Sequence, residues 1–313
     1  MQSRLTTILK ILAAVGLLGY LVYLVEPSRL WAVARRAEGG WIAAAVLLLP
    51  ANLALEGLMW QWMVRVILPG IGFRKAMASV LGGHPLGTFT PARVGEMAGR
   101  AFYLDYEDKW ELGAAVFAQR MYDMVAAVDV GLLALGYFVL RYHPDPPVAW
   151  QAVFVFGVGT ALTLTVLALQ PGWAHAAVRW LTERETIRRR AAFLSRLSGA
   201  GVGRILGGAL ARYGVYITQF VLIARAFAPG FRMPESVLAP VLVIYAKFLI
   251  PSLTFMDVGV REGAAVYFFS TLGFGQAVAF NAAFLLFVVN MLVSALLGLP
   301  LALRIDWRRA VSD

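Results

Sequence analysis

Six apolar runs, each of about twenty residues or more, recur along this chain at positions 5–25, 41–67, 111–140, 148–169, 205–227 and 276–303. Runs of that length need an apolar solvent. At about 1.5 Å per helical residue, positions 5–25 make a rod of about 31 Å, which matches a hydrocarbon layer about 30 Å thick. Composition agrees: 60% of the 313 residues are hydrophobic and 15% charged, against about 25% charged in soluble domains, and the mean hydropathy is +0.72. The chain therefore reads as an all-α polytopic membrane protein with about six spanning helices. The first run has no small-x-small cleavage site ahead of Glu26 and Pro27, so it reads as a retained span rather than a removed leader.

The formal net charge is +10. In such a chain an excess of Arg and Lys points to cytoplasmic loops facing anionic lipid before it points to nucleic acid. There is no cysteine, and His84, His143 and His175 lie far apart in sequence, which argues against disulfides, thiolate chemistry and a metal enzyme; no cofactor is expected.

Within this apolar background the stretch 88–100, T-F-T-P-A-R-V-G-E-M-A-G-R, places Arg93, Glu96 and Arg100 together, with Thr90 beside them. Ionised groups at membrane depth are costly and normally face a partner, water or a substrate. Gly82, Gly83, Pro85, Gly87 and Pro91 interrupt helix on the way in, and Pro91 suits the first turn of a new one. The same grammar returns at 251–263, P-S-L-T-F-M-D-V-G-V-R-E-G, with Asp257, Arg261 and Glu262. The segments 76–104 and 236–272 are each too short on either arm to cross, so both read as re-entrant broken-helix hairpins. Lys247 lies on the way into the second.

Further ionisable residues sit in the spans. Glu56 shares a face with Asn52 at i, i+4 and needs a partner, and Arg120 and Asp123 at i, i+3 can neutralise each other. Asp129 lies further along the same span, and Arg212, Tyr213, Tyr216 and Gln219 are the polar content of 205–227. Residues 171–204 alternate arginines with Trp180, Leu181, Ile187, Phe193 and Leu197, the pattern of an amphipathic helix in the headgroup plane.

With the N-terminus in the cytoplasm and each hairpin returning to its own side, the inside receives most of the Arg and Lys, the connector included. Both termini then lie in the cytoplasm of a bacterial-type inner membrane. The first hairpin enters from inside and the second from outside, so residues 1–140 and 141–313 read as inverted repeats, an architecture of alternating-access transport.

At these residues the chain resembles the transmembrane, flippase-like domain of the lysylphosphatidylglycerol synthase family, over nearly its whole length. The carriers are Pro91-Ala-Arg93-Val-Gly95-Glu96, Arg120-Met-Tyr-Asp123 and Gly259-Val-Arg261-Glu262. The resemblance implies a stand-alone member that moves or handles lipids, including aminoacylated phosphatidylglycerol and polyprenyl-linked lipids. Gln119 departs from the pattern where relatives often carry an acid, and Met256 and Asp257 stand where a Gly pair is usual. The sequence runs to Asp313, just past the last span, so a synthase domain and lysyl transfer by this chain alone are not expected.

The expected substrate contacts are Arg93, Glu96, Arg100, Arg261, Glu262 and Lys247, supported by Arg120, Asp123, Glu56, Asp257 and Thr90. Arg93 and Arg261, at the N-termini of two half-helices, would hold a lipid phosphate near the midplane, because a guanidinium binds phosphate with two parallel hydrogen bonds and keeps its charge. The partners expected are an anionic membrane lipid and the bilayer, with a homodimer left open. Two other readings stand beside transport: a membrane-embedded enzyme acting on a polyprenyl phosphate with Glu96, Asp123 or Glu262 as base, and an accessory subunit of a lipid-modifying enzyme.

Overall fold

The computed structural model describes residues 23, 26–88, 90, 93–142, 148–230, 232–249 and 259–305. Every regular element among them is helical. Apolar side chains without periodic relief make helices whose own backbone satisfies every N–H and C=O, the form a bilayer demands.

The first elements are α1 (Pro27–Arg35), α2 (Gly39–Leu47) and α3 (Leu49–Val64). Helices α2 and α3 run on as one span, and Pro50 sits in the first turn of α3, where its missing N–H is harmless. Next come α4 (Phe73–Thr88) and α5 (Val94–Tyr103), then α6 (Lys109–Tyr142), α7 (Val148–Leu169), α8 (Pro171–Leu181), α9 (Glu185–Ala191) and α10 (Gly199–Phe227). The chain closes with α11 (Met233–Leu249), α12 (Val260–Thr271), α13 (Gln276–Phe287), a π-helical turn at Val288–Val293, and α14 (Ser294–Ala302).

Five stretches among the described residues are long and apolar enough to cross a membrane: Gly39–Val64, Lys109–Tyr142, Trp150–Leu169, Gly199–Phe227 and Gln276–Ala302. The sixth expected span, 5–25, lies outside the described residues. Helices α4, α5, α11 and α12 have 16, 10, 17 and 12 residues, so at 1.5 Å per residue the longest reaches about 26 Å. They form two hairpins, α4 on α5 and α11 on α12, where the sequence expects them.

One expectation is corrected here. Gly82, Gly83, Pro85 and Gly87 do not interrupt α4, which continues to Thr88. Their role is close packing. A Cβ on Gly99 would fall 2.7 Å from the Gly83 Cα, and one on Gly83 would fall 2.9 Å from the Glu96 carbonyl oxygen. Gly83 with Gly87, and Gly95 with Gly99, are i, i+4 pairs that let two helix backbones touch, the way apolar helices associate in lipid. Gly298 of α14 likewise presses on the Leu81 carbonyl, whose usual i+4 donor is replaced by the N–H-less Pro85.

The final long helix joins the two hairpins: α12 packs on α13, and α4 packs on α14 beyond the π turn. The connector also differs from one amphipathic helix. It is broken into α8, α9 and a 3-10 turn at Ala192–Arg196, with Phe193 buried while Trp180 and Leu181 are exposed. Arg190 ties it to Asp108 in the loop before α6, and Arg196 to Glu111 in the first turn of α6, each at 3.0 Å.

Candidate functional site

The site begins at the tip of the first hairpin. Thr90 ties the two arms together, its hydroxyl donating to the Leu86 carbonyl at 2.9 Å and accepting the Gly95 N–H at 2.7 Å. Thr90 is thus a structural brace. Arg93 precedes α5 with φ 56 and ψ 31, a left-handed conformation that costs a side-chain-bearing residue about 1 kcal/mol or more. Pro91, the expected helix start, lies outside the described residues, and regular α5 begins at Val94. The twist at Arg93 aims its side chain back at α4.

Arg93 pairs with Glu96 at 2.7 Å, and its Nη2 donates to His84 Nδ1 at 3.4 Å. Arg120 Nη2 reaches the same Glu96 Oε2 at 2.8 Å and the Arg93 carbonyl at 3.1 Å. Glu96 Oε1 accepts from Arg100, which also binds Glu56 and donates to Gln119 Oε1 at 3.1 Å. Glu56 in turn holds Arg212 of α10 at 2.9 Å, and Arg212 donates to Asp123 at 2.8 Å and to Asn52 Oδ1 at 3.0 Å. Asn52 donates to Asn290 in the π turn at 2.7 Å. One connected network therefore runs from the hairpin through α3, α6 and α10 to the last helix.

Two features of this geometry differ from expectation. Arg120 and Asp123 do not neutralise each other: the first turns to Glu96 on α5 and the second to Arg212 on α10, because better-placed opposite charges arrive from neighbouring helices. Arg212 and His84, which the residue pattern left without a role, are integral to the cluster. The signal for Arg212 was an arginine near the middle of an apolar span; the partner it meets, 156 positions away, was not readable. Gln119 gains a reason as well, since its Oε1 accepts from Arg100.

Burial divides the cluster. Glu56, Glu96 and Arg100 are sealed, at 4%, 2% and 2% exposure. The side chains of Arg93, Arg120 and Arg212 retain 28%, 26% and 22%. A sealed ionic core with a partly open guanidinium face is thus set in an apolar bundle. Buried ion networks hold only when each charge is paired and bonded, which the two-carboxylate grip on Arg100 accomplishes.

In the second hairpin Arg261 and Glu262, at the start of α12, are buried. Gly259 precedes α12 with φ 97, and its N–H donates to Glu262 Oε2 at 2.8 Å, capping the helix. Arg261 pairs with Glu262 Oε1 and lies 5.1 Å over the Phe287 ring; the two residues are 3% and 0% exposed. Glu262 here is a cap and counter-ion. Lys247 is half-buried in the last turn of α11, 5.6 Å over Phe248. Asp257 lies outside the described residues. The structure brings Arg93, Glu96, Arg100, Arg120, Asp123 and Glu56 together, and holds Arg261 and Glu262 on α12 among α11 and α13. A separate cavity of about 430 Å³ opens at the far end of α5, beside Tyr103, Asp105, Lys109 and Arg304.

Comparison with known proteins adds one match, and neither a curated protein nor a solved structure matches. The family model described as the lysylphosphatidylglycerol synthase TM region covers residues 7–298. That interval takes in both hairpins, four of the five described spans with most of the fifth, and every member of the ionic network, so this chain belongs to the lysylphosphatidylglycerol synthase transmembrane-region family.

Proposed function

We propose that this multi-pass membrane protein moves an anionic phospholipid, or a lipid of the polyprenyl-phosphate type, between the two leaflets. The observation that carries this reading is the divided burial of the ionic network. Its core is locked, yet Arg93, Arg120 and Arg212 keep about a quarter of each side chain open within an apolar bundle. A phosphate entering there would exchange carboxylate contacts for its own bidentate ones, at little cost in charge separation. Arg100, Glu96 and Glu56 would be the frame that presents those guanidiniums, with Asp123 as the counter-ion of Arg212. Arg261 and Glu262 would be the matching lock of the second half.

The inverted-repeat reading supports alternating access. Each hairpin's second helix follows a residue with positive φ, Arg93 or Gly259, and carries a glutamate three positions on that binds the neighbouring arginine. With a span at 5–25 added to the five described, both termini would lie on the cytoplasmic side of an inner membrane, as the charge distribution favours.

The test is lipid movement by the purified protein. In liposomes holding labelled phosphatidylglycerol, a dithionite-type quench of the outer label should reveal redistribution with wild type, and R93Q should slow it at least about tenfold while still inserting. Equal rates with protein and with empty liposomes would refute transport and leave an accessory role.

A further inference from the structure

We infer that His84 is a proton-sensing positioning residue that sets how firmly Arg93 is held away from its ligand, so that protonation at His84 and anion binding at Arg93 favour each other. The inference rests on the reading above for the identity of the anion. His84 is 3% exposed in α4 and stands between the two halves of the ionic network. Its Nδ1 faces Arg93 Nη2 at 3.4 Å, and its Nε2 faces Glu56 Oε2 at 3.5 Å.

Chemistry fixes the proton. A guanidinium nitrogen can only donate, so Nδ1 accepts and carries no hydrogen; the ring's one proton is then on Nε2, which lies 3.5 Å from Glu56 Oε2 without a hydrogen bond among the described residues. Set this way, the ring helps hold Arg93 inward. A second proton has only Nδ1 to bind. It would remove the acceptor, set an N–H against the Arg93 N–H, and place like charges 3.4 Å apart. Arg93 would loosen toward the side on which 28% of its side chain is already open. An anion arriving there would relieve the repulsion.

The surroundings decide whether this is reachable. From α3 the ring faces Glu56, and from α5 it faces Arg93, with Glu96 and Arg100 one contact further. Arg120 of α6 and Arg212 of α10 act through Glu96 and Glu56. Helix α14 and the π turn, which also pack on α4, contribute no ionisable side chain. Glu56 thus stands at one end of the ring and Arg93 at the other, and the balance between them shifts when an anion takes up part of the charge of Arg93. A histidine is the side chain whose ordinary range makes such a balance responsive near neutral pH.

The chain has three histidines, so nitrogen NMR of histidine-labelled protein in nanodiscs, with H84Q to assign the signal, reads His84 directly. Phosphatidylglycerol discs are compared with phosphatidylcholine discs from about pH 5 to about pH 8. His175, on α8 and outside the network, reports the surface potential of the anionic discs alone. The His84 titration should move up in phosphatidylglycerol by about one pH unit more than that of His175, equivalent to about tenfold linkage, and R93Q should abolish the excess. In liposomes, wild-type lipid movement should then depend on pH while H84Q, which keeps an acceptor but cannot titrate, loses that dependence. Equal shifts at His84 and His175, or an excess shift that survives R93Q, would overturn the inference. An excess shift without any lipid movement would retain it as anion-linked protonation and refute transport.

Discussion

Arg212 offers the sharpest test of the ionic network, because one guanidinium contacts three partners on two other helices. Its Nη2, Nη1 and Nε donate to Glu56, Asp123 and Asn52 at 2.9, 2.8 and 3.0 Å. Replacing it with Gln leaves Glu56 with Arg100 but removes the arginine that holds Asp123. Breaking a buried ion pair by deleting one partner costs about 3–5 kcal/mol. With 22% of the Arg212 side chain open, solvent screening lowers the expectation to about 2–4 kcal/mol. Reversible unfolding in mixed micelles measures it for R212Q, D123N and the double variant. Once Arg212 is gone, removing the Asp123 charge relieves the penalty, so the double variant should be more stable than the sum of the singles implies by about 1–3 kcal/mol. R212Q within about 0.5 kcal/mol of wild type, or strictly additive effects, would show that the network does not couple α10 to α3 and α6.

Three further outcomes follow from separate parts of the structure. G99A should destabilise by about 1–3 kcal/mol, measured by the same unfolding assay, because its methyl would fall 2.7 Å from the Gly83 Cα; G113A, with open space around it, should not. Burial pushes the Asp108 carboxyl up, but hydrogen bonds from Arg190 and from the N–H groups of Glu111 and Trp110 outweigh it and hold the group below its usual value. Its contribution to docking the connector is therefore present above about pH 4 and lost as pH falls further; amide exchange in 185–196 should rise there in wild type, and D108N should already show it at neutral pH. The Tyr106 hydroxyl donates to Glu111, which with partial burial pushes its pKa up to about 12, so the E111Q variant should titrate Tyr106 at lower pH in ultraviolet absorbance.

Much of the architecture was readable because bilayer solvation acts on sequence locally. Run length marks spans, and arms too short to cross mark hairpins, so 76–104 and 236–272 lie over the observed α4–α5 and α11–α12 pairs. The role of the glycines was read incorrectly, as breaks. Gly83 and Gly99 serve an inter-helix contact, and spacing within one helix says nothing about which other helix it meets. The same limit explains the site. Arg93, Glu96 and Arg100 are neighbours in sequence and their grouping was legible. The pairings of Glu56 with Arg212 and of Asn52 with Asn290 join positions 156 and 238 apart, and only the folded chain displays them. Arg120 and Asp123 had the spacing to pair, yet spacing fixes only what is within reach, and stronger partners stood elsewhere.

In the proposed function these arginines receive an anionic headgroup. An experimental structure in phosphatidylglycerol nanodiscs measures this directly. The expected result is a lipid phosphate within about 3 Å of the Arg93 or Arg120 guanidinium, with the Arg93 to His84 contact lengthened. Headgroup density confined to the rim, with Arg93 still closed on Glu96 and His84, would contradict it.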